Sequence, residues 1–303
     1  MKKILFATDR STCAEQAAWF LAHLPHDEKL ELTVLSVLVP PHTHKAVLRQ
    51  DWIEMCIEQD RVLAAETFAN IQEQFEGANA SLQHIVEVGH PGTAIVERAE
   101  ALNSDLLVLG ARGRSAVARI LLGSTSDFVA THARCSVLIV RPTGLPETRH
   151  PLRIAMGYED TGPARAAIEE VAEIDWGKEV DFRLVSVCTF AEGYDATMIA
   201  DVKRAAQRAA AQLRDVAPRI ETHLIEHDHI GEGLVKYAED HLCDLMIVGE
   251  TPRGFVNRIL MGSTSRYVLR HAPCSVWITR NRIRTELATT GRASAAAVPA
   301  TPF

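Results

Sequence analysis

The stretch GARGRSAVARILLGSTS, residues 110–126, places Gly110, Gly113 and Gly123 at spacings of three and ten, after the apolar run DLLVLG and before a helix-like segment. A glycine has no Cβ, so at Gly110 and Gly113 the backbone can approach a ligand that any other residue would hold off. Gly123-Ser124-Thr125 then opens STSDFVATHA, whose free N–H groups and dipole favour an anion such as a phosphate, with two hydroxyls as extra donors. Taken alone, Ser124 or Thr125 would serve equally well as a helix cap; the upstream glycines favour the anion. The loop lacks the Gly-Lys-Ser/Thr of a phosphate-transferring P-loop, and no lysine or water-orienting residue stands near it. This argues against fast turnover, and no catalytic residue is assigned. Asp9, directly after KILFAT, is the second polar group at the end of an apolar run.

The loop is written twice. RILLGSTS at 119–126 returns as RILMGSTS at 258–265, SDLLVLGARGR answers to CDLMIVGETPR, and THARCSVLIVR to RHAPCSVWITR. The offset falls from 150 residues at the first strand (Ile4 to Ile154) to 139 at the last (Cys135 to Cys274), so the second copy is shorter by 11, between LTVLSVLVPP and QHIVEV. The second copy keeps Gly249, Gly262, Ser263 and Thr264, but Pro252 replaces the middle glycine and removes a possible N–H donor. Gly254 and the acids Glu159 and Asp160 offer partial substitutes. The first copy is accordingly expected to be the stronger site.

In each copy, Val-, Ile- and Leu-rich runs (4–7, 32–39, 84–88, 106–109, 136–140) alternate with helical stretches such as AEQAAWFLAHL and TAIVERAEAL. Nearly continuous apolar strands separated by helices imply a parallel sheet covered on both faces. The expected fold is α/β: two tandem doubly wound domains, each with a five-stranded parallel sheet flanked by helices. The expected domains are 1–142 and 151–281, with 143–150 as linker and 282–303 as a tail without regular structure. In such sheets the ligand crevice forms at the carboxyl ends of strands where the winding reverses, which is where Asp9 and Gly110 fall. A long amphipathic helix is expected over 51–75, with Ile53, Ile57, Leu63 and Phe68 on one stripe. It and its shorter, alanine-rich counterpart MIADVKRAAQRAAAQL are assigned to packing.

A net charge of −7 disfavours broad attraction to nucleic acid or anionic membrane. No apolar run approaches the roughly 20 residues that span a bilayer, and MKKILFATDRST turns polar too early for a signal peptide, so a soluble, cytoplasmic protein is expected. The six cysteines form no C-x-x-C pair and are expected as reduced core thiols, the repeat-equivalent Cys135 and Cys274 included. The short histidine pairs in HTH (42–44) and HDH (227–229) are too few for a metal site, and His132 and His271, near helix ends, are structural.

G-x-x-G, nine residues and G-[ST], after DLLVLG and together with the Asp of FATDRS, resembles the ATP-binding signature of the universal stress protein family. The likeness covers about 1–142 and again 151–281. It implies the fold of the adenine nucleotide α-hydrolase-like (HUP) class and ATP, with or without Mg2+, as ligand. Asp9 would meet the ribose or adenine and Val37 the base; Leu109 and Gly110 would border the ribose; Gly113, Gly123, Ser124 and Thr125 would hold the phosphates. Arg112 and Arg114 are candidates for added charge. In the second domain the equivalent set is Glu159, Val187, Gly249, Gly262, Ser263 and Thr264. The family's behaviour implies a nucleotide-responsive stress regulator acting through a protein partner, with little or no turnover. The alternatives are a slow ATPase or nucleotide-processing enzyme of this fold, and an interaction protein whose glycines only serve turns. The family's final strand commonly pairs across a dimer axis, so the resemblance also implies an intrachain pseudo-dimer through CSVLIVRP and CSVWITRN, with homodimers of the whole chain as a further level.

Overall fold

The structure, a computed structural model, describes residues 1–25, 28–41, 50–113, 122–143, 150–189, 195–250 and 261–280. The first repeat runs β1 (Lys3–Thr8), α1 (Thr12–Ala22), β2 (Leu30–Leu38), α2 (Gln50–Gln74), β3 (Ala80–Val88), α3 (Pro91–Ala101), β4 (Leu106–Gly110), α4 (Ser124–His132) and β5 (Ser136–Val140). The second runs β6 (Arg153–Gly157), α5 (Gly162–Val171), β7 (Asp181–Cys188), α6 (Ala196–Leu213), β8 (Glu221–Glu226), α7 (Ile230–Asp240), β9 (Leu245–Gly249), α8 (Ser263–His271) and β10 (Ser275–Thr279). Each repeat is a five-stranded parallel sheet with helices on both faces, as the sequence implies. The two join edge to edge in the order β3-β2-β1-β4-β5-β10-β9-β6-β7-β8, and only β5 and β10 are antiparallel to one another.

The alternation along β1 sorts the core into two layers. Ile4 and Phe6 face α1 and α2, while Leu5 and Ala7 face α3 and α4. Both layers continue through the seam, where Ile139 stands opposite Val276, Leu138 opposite Trp277 and Val137 opposite Ile278, all buried. Each such side chain is worth about 1.5–3 kcal/mol when taken from water, so the final strands have far more to gain paired than as two free edges.

Several details explain residues that recur in both copies. The Asp of SDLL and CDLM pins the start of the neighbouring first strand: Asp105 accepts from the N–H groups of Lys2 (2.7 Å) and Lys3 (2.9 Å), and Asp244 from that of Arg153 (2.9 Å). His132 and His271 close their helices, each Nδ1 donating to the carbonyl four residues back (Phe128, 2.7 Å; Tyr267, 2.8 Å) with the ring stacked on that aromatic side chain. His23 on Trp19 and His241 on Tyr237 repeat the arrangement. A last-turn carbonyl that the helix leaves unpaired is thereby satisfied.

The length difference between copies falls largely in the crossover helix, 25 residues in α2 against 18 in α6. On α2 the packed face carries Ala64, Ile71 and the following Phe75, with Ile53, Ile57 and Phe68 half-buried; Leu63 is 38% exposed and does not share the expected stripe. The reason is angular, since Leu63 lies about 100° from Ala64 around a helix of 3.6 residues per turn, on the far side from Phe68. Strand β3 begins at Ala80, four residues before the apolar run that marks it, because a half-exposed edge strand alternates too weakly to be read. Most of the expected linker, the HTH histidines, Arg114, Pro252, Gly254 and the expected tail lie outside the described residues.

The seam is locked by one arginine from each repeat. Arg280, 1% exposed, donates to the carbonyls of Ala130 (2.6 Å) and Ala133 (2.9 Å) at the end of α4 and pairs with the equally buried Glu250 at 2.6 Å. Its counterpart Arg141 donates to Leu269 at the end of α8 (2.7 Å), but Ala111 stands where the second repeat has Glu250. Removing Arg280 would strand a buried carboxylate; removing Arg141 would strand only carbonyls. Urea unfolding should therefore find Arg280→Ala destabilised by about 3–5 kcal/mol and Arg141→Ala by about 1–3 kcal/mol, with Glu250→Gln restoring part of the Arg280→Ala loss. Equal losses without rescue would show that the Glu250 pair does not govern the seam.

Candidate functional site

In the first repeat the loops after β1 and β4 are clipped together. Asp9 follows β1; its Oδ1 accepts from the Ser11 N–H (3.1 Å), and its Oδ2 lies 2.5 Å from where a Cβ on Gly113 would stand. Ser11 caps α1 by accepting from Ala14 N (3.2 Å) and donates to the carbonyl of Arg112 (3.2 Å). A side chain at 113 would displace the Asp9 carboxylate tip, so glycine there lets the two loops close on one another. At the end of β4, a Cβ on Gly110 would fall 2.8 Å from the Cys13 backbone.

The far end of the glycine loop returns to its start. Gly123 N donates to Ala111 O (2.8 Å), and Ser126 Oγ donates to Gly110 O (2.8 Å). Gly123 itself occupies the cap position of α4 and no side chain caps the helix, so neither Ser124 nor Thr125 is a cap. As the first helical residues, they present N–H groups without intrahelical acceptors. Ser124, Asp9 and Gly113 are exposed at the rim and Val37 is half-buried on β2. Leu109 is 4% exposed with its side chain in the α3/α4 core layer, so it can border a ligand only through its backbone.

The second repeat builds the same parts around an open cleft of ≈ 530 Å³. All six second-domain positions named from the sequence, Glu159, Val187, Gly249, Gly262, Ser263 and Thr264, line it. Ser265 Oγ donates to Gly249 O (3.2 Å), matching Ser126 and Gly110. Gly262 caps α8, and among the described residues none comes within 4 Å of a Cβ placed there. The expectation that the second copy is the weaker site rested on Pro252, outside the described residues, and on Glu159 in place of the first copy's Asp9; Glu159 lines the cleft.

A universal stress protein family profile matches residues 1–141 and again 152–280. The chain belongs to the universal stress protein family. Among curated relatives, the universal stress protein Sll1388 of Synechocystis is 32% identical over 149 residues, which cover 46% of this chain and 97% of that protein. Among solved structures, a universal stress protein from Archaeoglobus fulgidus overlays with a TM-score of 0.67 at 21% identity, covering 92% of this chain and 98% of the other. That second likeness extends over both domains and shows the shared fold.

In this universal stress protein the cleft also has walls that motif reading misses. Asp201, Arg204, Ala205 and Arg208 of α6 line it, together with Tyr158, Asp160, Ser186 and Leu234. The assignment of α6 to packing alone is therefore corrected: Ala206, Ala209, Ala210 and Leu213 face the core while one edge of the helix walls the cleft. The signal available was Arg204 and Arg208, four apart on an otherwise small-residue helix. Tyr158 donates to Asp160 Oδ1 (3.2 Å), and burial followed by the Asp160 charge raises the phenol above its ordinary range. The hydrogen bond from Arg165 (2.9 Å) holds the Asp160 carboxyl below its usual range.

Other candidates resolve as structure. His227 and His229 bond each other locally, and among the described residues no group of three or more His, Cys, Asp or Glu side chains is placed to hold a metal. Cys135, Cys188, Cys243 and Cys274 are buried, Cys13 and Cys56 half-buried, and none is in a disulfide. Burial pushes Cys243 up to about 11 and Cys274 higher still, suppressing the reactive thiolate. Titrating the folded chain with a thiol-reactive chromogenic disulfide at pH 8 should modify at most the two half-buried thiols quickly, and all six after denaturation. Rapid loss of Cys243 or Cys274 from the folded chain would contradict this placement.

Proposed function

We propose that the chain binds an adenine nucleotide, ATP with or without Mg2+, at the strand ends of its repeats and acts as a nucleotide-responsive stress regulator through a protein partner. The observation that carries the reading is the second-domain cleft, in which all six motif-equivalent positions converge. Its volume falls within the roughly 300–1,000 Å³ usual for small-molecule sites. One wall offers a helix N-terminus suited to phosphate, and the floor offers apolar contact from Val187 and Leu234 suited to a base. The first domain supports the same reading through Asp9, Gly110, Gly113, Gly123, Ser124 and Thr125.

A ligand bound to either loop would bridge the strand ends to the helix mouth and so change the surface offered to a partner. Holding in preference to hydrolysis is supported by a loop without a P-loop lysine. Composition supports a cytoplasmic setting, and among the described residues no helix is long and apolar enough to cross a membrane. Association of whole chains into dimers belongs to the same proposal.

Because no described residue lies within 4 Å of the Gly262 Cβ position, Gly262→Val should fold normally and project two methyl groups into the cleft. Equilibrium dialysis against ATP, with thermal unfolding in parallel, should find one site fewer than wild type at an unchanged midpoint. Wild-type protein that binds no adenine nucleotide, or a folded Gly262→Val with full binding, would refute the assignment. Phosphate release at several turnovers per minute would instead make the chain an enzyme.

A further inference from the structure

Two arginines of α6 line the second-domain cleft that Gly262, Ser263 and Thr264 also line, and their present partners hold them weakly. Arg204 pairs with Asp201 one turn back on α6, and Arg208 approaches Asp160 at 3.5 Å. Both guanidinium side chains are mostly exposed (63% and 67%), so each pair is worth little. Asp160 has a nearer cation in Arg165, at 2.9 Å, and a hydrogen bond from Tyr158, so it stays compensated without Arg208. A residue whose charge is already answered elsewhere releases its second partner at small cost.

The helix that carries these arginines is seated by the small residues Ala205, Ala206, Ala209 and Ala210, all buried. Their four-residue separation puts the guanidinium groups on one edge, about 5–6 Å apart at Cβ. The first repeat reverses the polarity. Arg10 occupies the position equivalent to Asp160 and pairs at 2.8 Å with Asp60 of α2, so there the loop carries the cation and the crossover helix the anion.

We propose that Arg204 and Arg208 are specificity-determining residues of the second-domain site: on ligand entry they leave Asp201 and Asp160 for the phosphates, making this site selective for the more highly phosphorylated nucleotide. The inference rests on the nucleotide reading of that cleft. The α8 N-terminus supplies neutral N–H donors on one side; the arginines supply full charges and bidentate hydrogen bonds on the other. Affinity should therefore climb from adenosine through AMP and ADP to ATP, and the slope of that ladder belongs to the α6 wall. The first-domain mouth, with the opposite arrangement, has no matching slope from its crossover helix.

The test is calorimetric titration of the full chain with adenosine, AMP, ADP and ATP, reading the site that Gly262→Val removes. In the double variant Arg204→Gln/Arg208→Gln, ATP affinity should fall by about tenfold or more, the loss expected of charge-assisted hydrogen bonds, while adenosine affinity stays within about twofold. Asp160→Asn, which frees Arg208, should raise the ratio of ATP to AMP affinity. An unchanged ladder in the double variant, or an equal loss for adenosine and ATP, overturns the specificity assignment while leaving nucleotide binding intact. Absence of any site sensitive to Gly262→Val in the wild-type chain overturns both.

Discussion

The antiparallel pairing of β5 with β10 is the constraint on which the molecule depends. Each five-stranded sheet ends in a short, fully buried strand that could not stand exposed, and the two copies solve that problem with each other. The pairing makes one ten-stranded sheet with two continuous core layers, and it brings the last helix of each repeat onto the other, where Arg270 of α8 reaches Asp127 of α4 at 3.0 Å. A buried arginine from each final strand then closes the opposite helix. Hydrophobic burial supplies the stabilisation; the arginines specify the register, because a slipped pairing would leave guanidinium groups and carbonyls buried without partners.

That seam bears directly on the clefts. Helices α4 and α8 each have one end at a glycine loop and the other end held by an arginine of the opposite repeat. The N-terminal N–H groups of α4 and α8 are therefore mounted on helices that are fixed at their far ends, which is the preorganisation the proposed phosphate contacts require. The second repeat adds a further link, since Glu250 follows Gly249 in sequence and binds Arg280 at the seam. Ala111 gives the first repeat no such link. The two repeats thus carry strand-end loops of common plan with different anchorage.

Much of this was legible in the sequence, for identifiable reasons. The parallel strands are buried on both faces and read as apolar runs, and the near-identical RILLGSTS and RILMGSTS fixed the repeat and the loop together. The pairing of the final strands followed from the family resemblance, and two CSV-initiated apolar edges in one chain need such cover. What escaped notice depends on contacts distant in sequence. Nothing local in the sequence marks Arg141 and Arg280, because a helix from the other repeat supplies their acceptors. Leu63 was placed on the packed stripe by composition, although the helix angle sends it outward. The α6 wall of the second-domain cleft was missed because its alanines dominate its pattern and read as packing.

The most direct test of the account is a crystal structure of the full chain grown with ATP. It should show the triphosphate between the Gly262–Thr264 turn and the α6 wall, the base against Val187 and Leu234, and the β5–β10 seam unchanged. ATP bound at some other surface, or a second-domain cleft filled by protein side chains, would contradict it.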